Sequence, residues 1–255
     1  IYTGGFTWNY SEPDYYSDDA VYVVSDNAGS RTLVNRVDEV SGKIFNLDLG
    51  PDGTVVVSAS NMKARPMEHV VAAYMPGDAF PEKWTYSNFS SYAMGISFDG
   101  MGHVYAGGGD KVVKLKVADG SEVSSFSFDG EVREVEAYAP GVDTGPSEGA
   151  GTAQGEACTA NCVYASTVDG RVMSLDQDGS IIWTNSAMLD VDVADDGTVF
   201  AVGMTGMLRK LSAEGNVLAT KFIKTTNQSQ AGNDWVASVD VGENGMVYVA
   251  TKYGG

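Results

Sequence analysis

Gly170-Arg171-Val172-Met173-Ser174-Leu175-Asp176-Gln177-Asp178-Gly179-Ser180-Ile181-Ile182-Trp183, followed by Asp195-Asp196-Gly197-Thr198-Val199-Phe200, is the stretch that decides the architecture. Short β-rich runs are cut by turns of Asp and Gly. Between the two quoted segments, Leu189-Asp190-Val191-Asp192-Val193 alternates apolar and polar residues. Such alternation reads as a strand with one packed and one solvated face. Leu189, Val191 and Val193 therefore belong to the core, and Asp190 and Asp192 to solvent.

The pattern recurs along the chain. Pro51-Asp52-Gly53-Thr54-Val55-Val56-Val57, Gly100-Met101-Gly102-His103-Val104-Tyr105 and Glu243-Asn244-Gly245-Met246-Val247-Tyr248 repeat the turn and the strand after it. Asp-Gly and Asn-Gly suit two-residue hairpin turns, which need positive φ. An alternating strand precedes each turn, as in Leu47-Asp48-Leu49, Ile96-Ser97-Phe98 and Val239-Asp240-Val241. A third strand follows at Val34–Val37, Val71–Tyr74, Val112–Leu115, Val172–Leu175 and Leu208–Leu211, and most repeats add a fourth. No sustained 3.6-residue apolar period is present, so very little helix is expected.

A four-stranded antiparallel meander repeated roughly every 36 to 50 residues has the period of a propeller blade. No meander can bury both faces alone, so neighbours must stack. The expected fold is a single all-β domain over residues 1–255, a β-propeller of six four-stranded blades, with five or seven as alternative counts. The strand-like segment 1–10 is read as completing the last blade, in its own chain or by exchange with a neighbour. Gly42 to Gly53 is too short to hold both a fourth strand and the next inner strand.

The quoted stretch resembles the quinoprotein-like and YVTN/WD40-like β-propeller repeats. That resemblance extends over most of residues 45 to 251 and implies a fold, not an activity. Family enzymes that hold pyrroloquinoline quinone use a vicinal disulfide and a calcium-bound acidic site. Here Cys158 and Cys162 are separated by three residues, so no catalytic residue and no cofactor is carried over.

Composition narrows the function. The 255 residues carry 34 acidic against 16 basic side chains, a formal net charge of −18. That charge repels phosphate backbones and anionic membrane surfaces, which argues against nucleic-acid binding. No apolar run is long enough for a spanning helix, and the absence of an initiator methionine fits a processed, exported chain. Cys158 and Cys162 read as one small disulfide-closed loop, the alternative being two free thiols. Asn9, Asn88 and Asn227 head N-x-S/T sequons and are candidate glycosylation sites.

The remaining candidates each have a plain structural explanation beside the functional one. Residues 139–162 form an inserted Gly/Pro/Ser-rich loop ending at the cysteine pair, either a binding loop or a tolerated surface insertion. Asp176–Gly179 and Asp190–Gly197 contain fragments of calcium loops without the ligand spacing, so no metal site is assigned. Trp8, Tyr10, Tyr15 and Tyr16 form a candidate contact surface for protein or sugar, or else packing for an N-terminal arm. His69 and His103 lie in strand contexts, and no nucleophile–base motif is readable.

The sequence thus points to a non-enzymatic extracellular or surface-displayed propeller serving structure and recognition, with protein partners. Copies of itself are included, joined through the N-terminal strand into a filament. The alternatives are a glycan- or receptor-binding module of a virion or secreted adhesin, and an enzyme of the hydrolase or quinoprotein kind. The last would be marked by acidic side chains converging with an ion at the centre.

Overall fold

The computed structural model describes residues 2–5, 20–27, 30–37, 43–61, 66–76, 81–138, 162–203, 205–223, 235–242 and 245–252. They form 21 strands in six antiparallel sheets, and no helix is present among them. The first sheet contains β1 (Tyr2–Gly5), β2 (Ala20–Asn27) and β3 (Ser30–Val37). The second runs β4 (Lys43–Leu49), β5 (Val55–Asn61), β6 (Glu68–Tyr74) and β7 (Glu82–Tyr86). The third runs β8 (Ala93–Phe98), β9 (His103–Gly108), β10 (Lys111–Lys116) and β11 (Glu122–Ser127).

In the fourth sheet are β12 (Val132–Tyr138), β13 (Cys162–Thr167), β14 (Arg171–Leu175) and β15 (Ile181–Ser186). The fifth holds β16 (Asp190–Val193), β17 (Val199–Val202), β18 (Met207–Leu211) and β19 (Val217–Phe222). The sixth pairs β20 (Trp235–Val241) with β21 (Val247–Lys252). Four of the six sheets have the expected four strands in sequence order. The first strands of successive sheets stand beside one another, from β1 through β4, β8, β12 and β16 to β20. The sheets therefore stack radially, as in a propeller.

Tyr2–Gly5 pairs with Ala20–Val23 of its own chain, as the inner strand of the first sheet. The expected placement on the last blade is not what is found; residues 6–10 lie outside the described residues. The hairpin turns also differ from expectation. Gly53 N–H donates to the Gly50 carbonyl at 2.9 Å and Gly50 N–H to the Thr54 carbonyl at 2.8 Å. Pro51 and Asp52 occupy the centre of the turn and only Gly53 has positive φ, at 81°. This is a three-residue loop with a glycine bulge, which leaves the Asp52 carboxylate free to accept the Thr54 N–H at 2.9 Å.

Separate apolar clusters fill the spaces between sheets. One joins Val56, Val71 and Trp84 of the second sheet to Ile96, Phe98, Val113 and Leu115 of the third. Another joins Val112 and Phe126 to Val135, Val163 and Met173 across the next junction. The outer strands lock on by an aromatic–glycine contact. The Trp84 indole N–H donates to the Val117 carbonyl and that of Trp183 to the Ala213 carbonyl, each at 2.8 Å. Gly120 and Gly215, both in left-handed turns, bring their backbones against those two rings; a Cβ at either would lie 2.6 Å from indole carbon.

Candidate functional site

Strand direction places the starts of β4, β6, β8 and β10 at one end of the molecule, with the ends of β5, β7 and β9. Aromatic side chains gather there. Tyr92 meets Phe45 edge-on at 5.2 Å between ring centroids and His69 at 5.0 Å. Tyr86 and Phe89 form a second edge contact at 5.3 Å. Lys43 lies 4.9 Å above Phe45, and Lys111 lies 5.6 and 5.5 Å from the Tyr86 and Phe89 rings. All five rings are half-buried. Two lysines held over aromatic faces add cationic contacts at this end of a chain that is acidic as a whole.

Cross-strand register also creates a pair that no linear motif announces. Ser60 on β5 faces His69 on β6, and the hydroxyl is 2.8 Å from Nδ1. Burial depresses the His69 pKa, against a smaller upward effect from Glu131. Ser60 is 0% exposed, so this hydroxyl is closed to a substrate and the pair acts within the fold. His103 binds Asp99 Oδ2 through Nδ1 at 2.9 Å, and Lys114 Nζ is 3.6 Å from the same oxygen. Asp99 also accepts the N–H groups of Met101 and His103, which fixes the β8–β9 turn.

The second concentration of chemistry lies in the inner-strand layer. Asp48, Glu134, Glu136, Asp190 and Asp192 all have raised pKa values, with burial the largest cause in each case. Asp190 and Asp192 do not face solvent as the alternation suggested. Asp190 is 5% exposed, and its Oδ2 accepts the Val239 N–H at 2.8 Å. Asp192 Oδ2 accepts the Val241 N–H at 2.5 Å. The polar face of an inner strand is turned toward the next sheet, whose edge amides need acceptors. Leu189 and Val191 are buried as expected.

Acidic side chains thus converge at the centre, one half of the mark set for an enzyme. Among the described residues no three His, Cys, Asp or Glu side chains are placed to hold a metal ion. The calcium-like fragments are used locally: Asp176 Oδ1 accepts the N–H of Asp178 and Ser180, and Asp196 Oδ1 that of Thr198.

Cys162 is buried at the start of β13, opposite Tyr138, so the ends of segment 139–161 are adjacent. Cys158, Trp8, Tyr10, Tyr15, Tyr16, Asn9 and Asn227 lie outside the described residues. Asn88 is exposed, between Tyr86 and Phe89. The Phe45–Tyr92–His69 group was missed in the sequence because its members come from three strands or loops; only the Tyr86–Phe89–Tyr92 spacing hinted at it.

A solved structure, the β-propeller domain of Myceliophteria thermophila Cps50 (Swd1), superposes with a TM-score of 0.62 over 90% of this chain, at 10% identity. The chain has a WD40-like β-propeller fold. It spans 65% of that neighbour's length, and at this identity the likeness concerns the fold alone. No protein-family model matches the sequence, and no curated protein matches it. No helix among the described residues of the propeller is long and apolar enough to cross a membrane.

Proposed function

We propose that this propeller is a non-enzymatic, extracellular recognition module that binds a protein partner through its aromatic–lysine end. The observation that carries the reading is the grouping of Phe45, His69, Tyr86, Phe89 and Tyr92 with Lys43 and Lys111 on one end of two adjacent sheets. Partly exposed aromatic rings lose little conformational freedom on binding and dominate the energetics of protein contacts. The Cys158–Cys162 pair, read as a disulfide, and the exposed Asn88 sequon support the extracellular placement.

The test is a Phe45→Ala/Tyr92→Ala variant whose thermal midpoint stays near the parent's. It should bind a protein partner isolated with the parent chain at least roughly tenfold more weakly. Equal affinity would remove this surface from the reading. A glycan-array signal lost in the same variant would move the partner from protein to sugar.

A second reading, assembly with copies of itself, is favoured by a different surface. Every residue of β19 is exposed, including Val217, Leu218 and Phe222, and Met246 just before β21 and Tyr248 within it are exposed as well. Apolar surface beside an outer strand invites head-to-tail pairing, which propagates into a filament. Light scattering of the parent and a Leu218→Asp/Phe222→Asp variant tests it: monomer at all concentrations in the parent rejects assembly.

A further inference from the structure

The inner strands meet through side chains that reach from one sheet to the backbone of the next. Phe98 N–H donates to Asp48 Oδ2 at 3.0 Å, and Ala137 N–H to Ser97 Oγ at 3.0 Å. Val239 and Val241 donate to Asp190 and Asp192 in the same way. Strand pairing puts Asp48, Ser97, Glu136, Asp192 and Asp240 at equivalent positions of β4, β8, β12, β16 and β20. Asn46, Gly95, Glu134, Asp190 and Ser238 occupy the equivalent positions two residues earlier.

Carboxyl groups from four sheets therefore share one layer. Asp190 and Asp192 act on Glu134, and Asp192, Asp48 and Glu134 on Glu136; Asp240 and Asp190 act on Asp192. Arg133 is the cation that acts on Glu134 and Asp190. Full ionisation would set like charges against one another inside protein, where water screens them weakly. A protonated carboxyl avoids that and still offers an acceptor oxygen to the neighbouring amide.

We propose that this carboxyl layer serves as a pH-sensitive lock on the propeller's inner junctions, tight in mild acid and loosened in alkaline solution. The direction follows from linkage. Burial, the largest cause throughout, moves Asp48 to about 6 and Asp192 to about 7, and raises Asp190, Glu134 and Glu136. The folded chain then holds protons that the unfolded chain has released above pH ~4. The stabilisation this confers in acid is lost as pH rises from there through the folded values. Outer carboxylates whose pKa values are lowered, such as Asp52, Asp169 and Glu214, act oppositely, and only in stronger acid.

Thermal unfolding of the full chain at pH 5.0 and 8.0, in EDTA and low salt, tests the lock. The midpoint is expected to be lower at pH 8.0 by on the order of 5–10 °C. Glu136→Gln, close in shape but unable to ionise, should reduce that fall. Glu68→Gln, which removes the same charge from an exposed site, should leave it unchanged. If Glu136→Gln does not fold, amide exchange in the parent replaces it. Protection at Phe98, Val239 and Val241 should then drop between the two pH values by more than at outer-strand amides, after correction for intrinsic rates. A midpoint equal or higher at pH 8.0, an equal fall in Glu136→Gln, or uniform exchange across the sheets would overturn the proposal.

Discussion

Asn46 and Glu134 share a hydrogen bond of 3.0 Å, amide Nδ2 to carboxylate Oε1, although the second and fourth sheets that carry them have a whole sheet between. Gly95 makes this reach feasible. It holds the equivalent position on the intervening β8 and has no side chain to block the line. The inner strands also pack closely there: a Cβ on Gly95 would lie 2.4 Å from the Val135 nitrogen and 2.7 Å from Glu134 backbone carbons.

Gly95→Ala should therefore separate β8 from β12, since backbone cannot move aside as a flexible side chain can. The expected destabilisation is about 2–4 kcal/mol, read as a lower midpoint in urea unfolding. A change below about 0.5 kcal/mol would show that the junction yields freely.

Trp84 and Trp183 provide a graded comparison. Trp84 is 7% exposed, while Trp183 is only half-buried, yet both donate to a carbonyl of the following sheet. Trp84→Ala should cost about 3–5 kcal/mol and Trp183→Ala distinctly less. Trp84→Phe keeps most of the packing but leaves the Val117 carbonyl without its donor, a cost of about 1 kcal/mol beyond the lost ring area. Chemical denaturation of the three variants ranks them.

Asp48 distinguishes the hydrogen bond from the charge. Asp48→Ala leaves the Phe98 and Leu49 amides without their acceptor and should destabilise by about 1–3 kcal/mol at pH 5. Asp48→Asn keeps one acceptor oxygen and cannot ionise. Burial moves the Asp48 pKa to about 6, so the Asn variant should compare best with the parent above that pH. Melting curves across pH 5 to 8 check the crossover.

The cysteine pair is testable without a partner. If Cys158 and Cys162 are bridged, the intact chain takes up no alkylating reagent until reduced, and mass spectrometry counts two additions afterwards. Such a short loop should contribute about 2 kcal/mol, so reduction lowers the midpoint modestly. Alkylation of both thiols in the unreduced chain would remove the bridge and one support for the extracellular reading.

Much of the fold was legible because it is written locally. Val172-Met173-Ser174-Leu175 with Gly179 and Ile181-Ile182-Trp183 already gives the strand, the turn and the next strand, which form β14 and β15 as read. The turn type was less legible. Asp-Gly suits both a two-residue hairpin and a bulged three-residue loop, and the choice falls to Gly50 and Pro51 outside the dipeptide. The aromatic end was hidden for another reason: Phe45, His69 and Tyr92 meet only because β4, β6 and β8 start at the same end of adjoining sheets.

Alternation and turn residues determined by themselves that this chain forms antiparallel meanders, because each depends only on neighbours within a few residues. Only the tertiary structure decided what the polar face of the inner strands does. Leu189-Asp190-Val191-Asp192-Val193 has the same pattern whether its aspartates meet water or another sheet. Radial stacking brings backbone amides about 49 residues further along the chain to those oxygens, at Val239 and Val241. Burial there, absent from the local pattern, turns a solvated stripe into a junction between sheets.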